Sequence, residues 1–261
     1  MSGMDTLPRT MALVREGLEL GTHVGAQIYV SLRGETVAHT ALGLARPGVP
    51  MTTKTVVPWL SAGKPLTAAL LGRLWERGLL DLDDPVARHV PEFAQGGKEG
   101  ITLRHLLTHT SGFEVPGLDW IRLPWAEVME TIFRTPMPEG GVPGRKAAYG
   151  AQSGWFVLGE VVRRVVSKDS AEDGDPGQQF ARIMRREIFD PVGMKDSWIG
   201  LPQKQYEALG DRIAVFYETG AMVDEPRVAA WDTPQRAAAV SPGGGARGPV
   251  RELGRFYEML L

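Results

Sequence analysis

The chain has 261 residues, 43% hydrophobic and 23% charged, with a formal net charge of -2; this is an ordinary globular composition, long enough to bury a substantial core. That charge gives no electrostatic reason to expect a nucleic acid or an anionic membrane as partner. There is no cysteine, which excludes thiol catalysis, disulfides and cysteine zinc sites, and with neither a signal-peptide core nor an apolar run of about 18 residues the reading is a cytoplasmic protein.

Leu7, Met11, Val14 and Leu18 recur at helical spacing over residues 7–20, with Gly21 as the stop. Ala26, Ile28, Val30 and Leu32 then alternate with Gln27, Tyr29 and Ser31, which predicts a strand. Arg33-Gly34-Glu35 turns it into a second strand over 36–42, making a hairpin. A loop rich in Pro and Thr (47–58) leads to Trp59-Leu60-Ser61-Ala62-Gly63-Lys64-Pro65-Leu66-Thr67. This stretch sets a serine one helical turn before a lysine, at the head of a long apolar helix. Positions i and i+3 share a helix face, so the Ser61 hydroxyl and the Lys64 amine can enter one pocket. A serine hydroxyl is a poor nucleophile without a base beside it. Burial and the positive end of the helix both disfavour a cation there, which suits an amine that accepts the serine proton. Pro65 falls in the first turn, where its missing N–H does least harm. Leu66, Leu70, Leu74 and Trp75 are expected to face the core, and Gly78 to end the helix.

Residues 80–86 read as a turn into a short helix, with Asp83 and Asp84 as capping groups rather than an acid–base pair. Thr102 caps a helix beginning at Leu103, and Ser111-Gly112 breaks it. His105 and His109 have the spacing of zinc ligands on one helix face. The H-E-x-x-H pattern, however, needs a glutamate where Leu106 stands, and no third ligand is evident, so they read as satisfied core histidines. From 114 to 146 the chain is rich in Pro, Gly and Trp and reads as a long irregular stretch suited to walling a pocket. Helical patterns return at 154–167 and 178–188, around a polar segment (168–178) read as a surface loop. A strand is expected at 213–217 and a last helix at about 249–260. The Ser241-Pro242-Gly243-Gly244-Gly245 loop lacks the Lys and Ser/Thr of a phosphate loop and reads as a tight turn. A nucleophile elbow around Ser61 would need a glycine where Trp59 stands.

Four blocks carry a resemblance: Ser61-Ala62-Gly63-Lys64 with its helix; the run from Gly78 to Val86; the run from Ile101 through His109-Thr110-Ser111-Gly112; and the run from Ile188 through Pro191-Val192-Gly193-Met194 to Ser197. In them, and across residues 25–261, the chain resembles the serine beta-lactamase-like proteins: class C beta-lactamases, D,D-peptidase-type penicillin-binding proteins, and related esterases and transacylases. The resemblance implies an α/β (α+β) fold in which an antiparallel sheet flanked by helices carries an inserted, mostly helical domain. Residues 1–65 and 212–261 would belong to the first domain and 66–211 to the second.

By the same resemblance Ser61 is the acyl-accepting nucleophile and Lys64 its proton acceptor. Tyr149 stands for the tyrosine of the family's Tyr-x-Asn motif, which passes a proton to the leaving group. Where that motif keeps asparagine this chain has Ala151. Counting back from Gly154-Trp155 puts the amide on Gln152, assigned here to substrate binding. No cofactor and no metal are implied. The family's third motif follows a helix that residues 251–261 resemble, so a C-terminal remainder or second fragment is expected to complete the sheet. That part would supply one oxyanion donor, with Ser61 N–H as the other. The activity implied is acyl transfer through a Ser61 ester from a small-molecule carboxylic ester or amide, to water in an esterase or to an amine or alcohol acceptor in a transacylase. The displaced amide and the absence of a secretion signal place beta-lactamase or D-amino-acid peptidase activity second. A non-catalytic ligand-binding member of the fold is a further reading, and the intact Ser61, Lys64 and Tyr149 argue against it.

Overall fold

The computed structural model describes residues 6–167, 174–219 and 226–261. In chain order its first elements are α1 (Pro8–Glu19), β1 (Gly25–Leu32), β2 (Glu35–Arg46), β3 (Val49–Pro50), β4 (Val57–Pro58), α2 (Lys64–Glu76), α3 (Leu103–Leu107), α4 (Trp125–Arg134) and α5 (Ser153–Ser167). Then come α6 (Pro176–Met184), α7 (Asp190–Val192), β5 (Trp198–Ile199), α8 (Gln203–Leu209), β6 (Tyr217–Glu218), β7 (Arg227–Val228), α9 (Pro234–Ala238), β8 (Ala246–Gly248) and α10 (Val250–Met259). They fall into two compact units, one of Met1–Pro58, Phe189–Ala238 and Arg247–Leu261, the other of Trp59–Ile188 and Ala239–Ala246.

The first unit is built on the hairpin that the alternating sequence predicts. β1 and β2 pair antiparallel from Gly25↔Gly43 to Leu32↔Glu35, with a bulge at Val30/Ser31. Arg33 and Gly34 both adopt positive φ, 53° and 80°, the turn geometry that matches the right-handed twist of the strands. The second strand runs on past residue 42 to Arg46, because β3 folds back to pair with it. α10 lies on β1: Val250 N–H donates to Gln27 Oε1 at 2.9 Å and the Tyr29 hydroxyl donates to Glu258 at 2.9 Å. The strand expected at 213–217 is not formed. Ile213 makes a single parallel bridge to Val56, and only Tyr217–Glu218 pairs, with β7. The cause lies further along the chain: the Asp232 carboxylate takes the Phe216 N–H at 2.8 Å, satisfying from a side chain the backbone donor that a ladder would use.

The second unit packs helices around α5. Trp155, Phe156, Val157, Leu158, Val161 and Val162 are all buried, so α5 is apolar on nearly every side and must be surrounded. It is bounded by α2, α3, α4 and α6. Its one buried carboxylate, Glu160, receives Arg163 at 2.6 Å, Arg164 at 2.7 Å and Trp125 Nε1 at 2.9 Å. On α2, Leu66, Leu70, Leu71 and Leu74 are buried, but Trp75 is 48% exposed. One residue past Leu74 the helix has turned by about 100°, which carries Trp75 off the stripe. The stretch 114–146 is not irregular throughout. It contains α4, whose Trp125, Val128, Met129 and Ile132 are buried at i, i+3, i+4 and i+7. The last turn of α4 is closed by the fully buried Lys98, whose ammonium donates to Phe133 O and Thr135 O, carbonyls that a helix end leaves unpaired. Of the segment read as a surface loop, 168–173 lie outside the described residues, and Asp175 caps α6 by accepting Gln178 N–H at 2.9 Å. No described helix is long and apolar enough to cross a membrane.

Candidate active site

All the residues singled out as chemical lie in the second unit. The chain enters α2 through a 3-10 turn, Leu60–Gly63, anchored by Trp59 N–H donating to Ala246 O at 2.9 Å. Leu60 has φ 50°, a left-handed conformation that costs a non-glycine residue about 1–2 kcal/mol. The bend brings Ser61 to the exposed head of the helix, where first-turn N–H groups have no intrahelical partner. Gly63 is required for space: a Cβ there would lie 2.5 Å from Ala246 Cβ.

Lys64 is only 6% exposed. Its Nζ donates to Ala151 O at 3.0 Å, to Gly243 O at 2.8 Å and to Ser61 Oγ at 3.1 Å. Two backbone carbonyls therefore fix two of its bonds, and the third position faces the serine. The Tyr149 hydroxyl donates to the same Ser61 Oγ at 2.6 Å. Ser61, Lys64 and Tyr149 are thus brought together, although 88 residues separate the serine from the tyrosine. Burial raises the Tyr149 phenol, but its bonds to Ser61 and Lys64 and the lysine charge outweigh that, and its pKa lies below the usual tyrosine value.

Gln152 sits just before α5, and its side chain faces the glycine loop: its Oε1 accepts Ser241 Oγ at 2.8 Å. Ser241 Oγ in turn accepts Gly244 N–H at 3.1 Å. The glycine run is more than a tight turn. Gly243 presents its carbonyl to Lys64, while a Cβ on it would lie 2.8 Å from Trp155 and one on Gly244 would lie 2.9 Å from Gln152 Nε2. Ser153, the neighbouring serine, is fully buried with its Oγ accepting Val115 N–H at 3.1 Å, which suits it to structure rather than attack.

The two histidines do different things. His105 completes a capping box with Thr102 at the start of α3. That helix ends at Leu107, before the expected break at Ser111-Gly112, so the pair does not share a helix face. His109 has φ 57° and turns toward Tyr149, with ring centres 4.8 Å apart. Among the described residues no three His, Cys, Asp or Glu side chains cluster as a metal site. Glu114 Oε1 accepts the N–H groups of Gln152 and Ser153, both at 3.3 Å, and so closes the start of α5. Reading the sequence missed His109, Glu114, Ser241 and the carbonyls of Ala151 and Gly243 as parts of this site. The signals were slight: His109 lies in the run from Ile101 to Gly112, Ser241 and Gly243 in the glycine loop, and Ala151 between Tyr149 and Gln152, while Glu114 carried none.

A family model described as Beta-lactamase matches residues 11–261. The chain belongs to the beta-lactamase family. It is 33% identical over 223 residues to Esterase EstB of Burkholderia gladioli, covering 76% of this chain and 51% of that protein. It is 30% identical over 181 residues to Esterase/beta-lactamase LipL of Mycobacterium tuberculosis, covering 68% and 39%. The chain therefore spans about half, or less, of the length of these curated relatives. Among solved structures, EstCE1, a hydrolase with promiscuous acyltransferase activity, superposes with a TM-score of 0.80 at 22% identity, covering 99% of this chain and 73% of the other. That likeness places the chain in the family's mixed α and antiparallel β fold.

Proposed function

We propose that this protein is a serine hydrolase that passes an acyl group through an ester on Ser61, taking it from small carboxylic esters. The observation that carries the reading is the convergence of Lys64 Nζ and the Tyr149 hydroxyl on one exposed serine oxygen. As Oγ attacks the substrate carbonyl, a bond forms from Oγ to carbon and the serine proton passes to the free-base form of Lys64, in which Ala151 O and Gly243 O take both N–H groups and the lone pair meets Oγ. Ser61 N–H, in the first turn of its helix, is placed to donate to the oxyanion. Collapse of the tetrahedral species breaks the bond to the leaving alkoxide, which takes a proton from Tyr149. Tyr149 recovers its proton from Lys64. Water then attacks the Ser61 ester, losing a proton to Lys64, the bond from Oγ to carbon breaks, Oγ takes a proton back through the same pair, and the acid is released.

Esters rather than lactams are favoured by what surrounds Tyr149. Ala151 offers a methyl group and a carbonyl already held by Lys64, and Gln152 is engaged with Ser241. A site whose side-chain amide already has its oxygen taken by Ser241 selects less strongly for an acylamino side chain. The name of Esterase EstB supports the same substrate class, and that of Esterase/beta-lactamase LipL supports both esters and lactams. An amine or alcohol in place of water would give the transacylase reading.

The test is hydrolysis of p-nitrophenyl esters, penicillins and cephalosporins, with and without an added primary amine. Ser61→Ala should lower ester turnover by about 10³-fold or more while leaving the fold intact. Free acid should be the main product, and lactams should turn over far more slowly than esters. Near wild-type turnover by the alanine variant would overturn the nucleophile. Efficient cephalosporin hydrolysis would overturn the substrate class, and amide formed faster than acid would mark a transacylase.

A further inference from the structure

We infer that His109 is the positioning residue that fixes Tyr149 for proton transfer at Ser61, by gripping the chain on both sides of the tyrosine; this rests on the role proposed above for Tyr149. Tyr149 is 62% exposed, so core packing does not hold its ring. Both of its neighbours bond to the same residue instead. Ala148 N–H donates to the backbone carbonyl of His109 at 2.8 Å, and Gly150 N–H donates to His109 Nδ1 at 3.1 Å. The imidazole also lies against the phenol ring, with centres 4.8 Å apart and planes inclined by 39°. Its other flank meets Trp155 of α5, 5.9 Å away. Offering both carbonyl and ring to one short segment requires the left-handed backbone His109 adopts, φ 57°, a conformation few non-glycine residues take.

The grip sets a chemical condition. Nδ1 accepts a hydrogen bond only in the neutral ring with its proton on Nε2; in the imidazolium both nitrogens are donors. The charged and titratable groups around the ring are Lys64 from α2, Glu114 from the chain before α4, and Tyr149 itself. Burial first, then the Lys64 charge, lower the His109 pKa, and Glu114 opposes them less strongly. The ring is therefore neutral near neutrality. Once protonated, it would aim a donor at Gly150 N–H and release one side of the grip. A displaced Tyr149 would leave substrate binding largely intact while slowing proton transfer.

Two substitutions separate the side chain from the backbone. Glycine keeps the left-handed φ and removes both acceptor and ring. Asparagine also tolerates that φ, and its Oδ1 can take the place of Nδ1 without titrating. His109→Gly should lower kcat for an ethyl ester by about 100-fold, as expected for a misplaced catalytic group, with KM changed far less. His109→Asn should recover most of that loss, and its activity should fall less than the wild type's between about pH 8 and about pH 5, the range in which histidine titrates. In a Tyr149→Phe background, His109→Gly should cost little more, because both changes remove the same function. Wild-type kcat in His109→Gly would overturn the inference, as would an undiminished acid limb in His109→Asn or full additivity in the double variant. If Ser61→Ala retains activity, it is the proposed function that fails, and this inference falls with it. If Ser61→Ala is inactive while His109→Gly is not, only the grip fails.

Discussion

Tyr149→Phe removes one hydroxyl, and its cost can be divided between folding and chemistry. The side chain is 62% exposed and the lost bond is to Ser61 Oγ at 2.6 Å, so stability should change by less than about 0.5 kcal/mol. The catalytic cost depends on the leaving group. An ethyl ester expels an alkoxide that needs a proton, and withdrawing a general acid at that step slows it by about 10²–10⁴-fold. A p-nitrophenyl ester expels a stable anion and should lose only about tenfold, the part owed to activating Ser61. With a central loss of about 10³-fold for the ethyl ester, the two substrates differ by about 10², equivalent to roughly 2.7 kcal/mol in the transition state. The assay is kcat/KM for the matched ester pair, by absorbance for one and by chromatographic assay of the acid for the other. The pH profile adds a sign. The protonated phenol is the donor, so wild-type activity on the ethyl ester should fall as pH rises through a value below the ordinary tyrosine range, since the bonds to Ser61 and Lys64 outweigh burial. Equal losses on the two esters would refute the role of Tyr149 as proton donor.

Glu160→Gln should destabilise the protein by about 2–3 kcal/mol; it disrupts a buried ionic cluster, but the two guanidiniums are 20% and 26% exposed and Arg164 keeps Glu92. Burial raises the Glu160 carboxyl, yet Arg163, Arg164 and Trp125 together hold it below the usual glutamate value. Its contribution is therefore complete above the unfolded glutamate pKa of about 4.3 and lost as pH falls through the lower folded value, so the gap between variant and wild type in urea unfolding should narrow on acidification. A gap independent of pH would contradict the ionic origin. Gly63→Ala should cost about 1–3 kcal/mol and slow acylation, since its Cβ would meet Ala246 Cβ at 2.5 Å. Adding Ala246→Gly should restore much of both; no compensation would mean that space is not the reason for the glycine.

The candidate site was legible where it is local. Ser61 and Lys64 share a helical turn, so spacing alone predicts their meeting, and the capping box of Thr102 and the stop at Gly78 follow from short-range rules. The hairpin was legible because its alternation and its turn agree. α4 was missed because Pro, Gly and Trp on either side hid a clear i, i+3, i+4, i+7 pattern within residues 125–132. Tyr149 was found only by resemblance, since nothing local ties it to Ser61. The parts not found at all are long-range and partly backbone: the carbonyls of Ala151 and Gly243 on Lys64, and His109 bonded to both neighbours of Tyr149. A carbonyl carries no residue signature. The strand expected at 213–217 failed because a distant carboxylate, Asp232, competed for its backbone.

The most direct test of an acyl group passing through Ser61 is to catch it there. The protein would be mixed with an activated ester of a slowly hydrolysed acid, quenched in acid within the first turnover, and weighed intact before peptide mapping. The expected result is a mass increase of one acyl group, located on the peptide that holds Ser61, decaying at the steady-state turnover rate and absent in Ser61→Ala. Turnover with no covalent species, or an acyl group that maps to another residue and persists in Ser61→Ala, would contradict it.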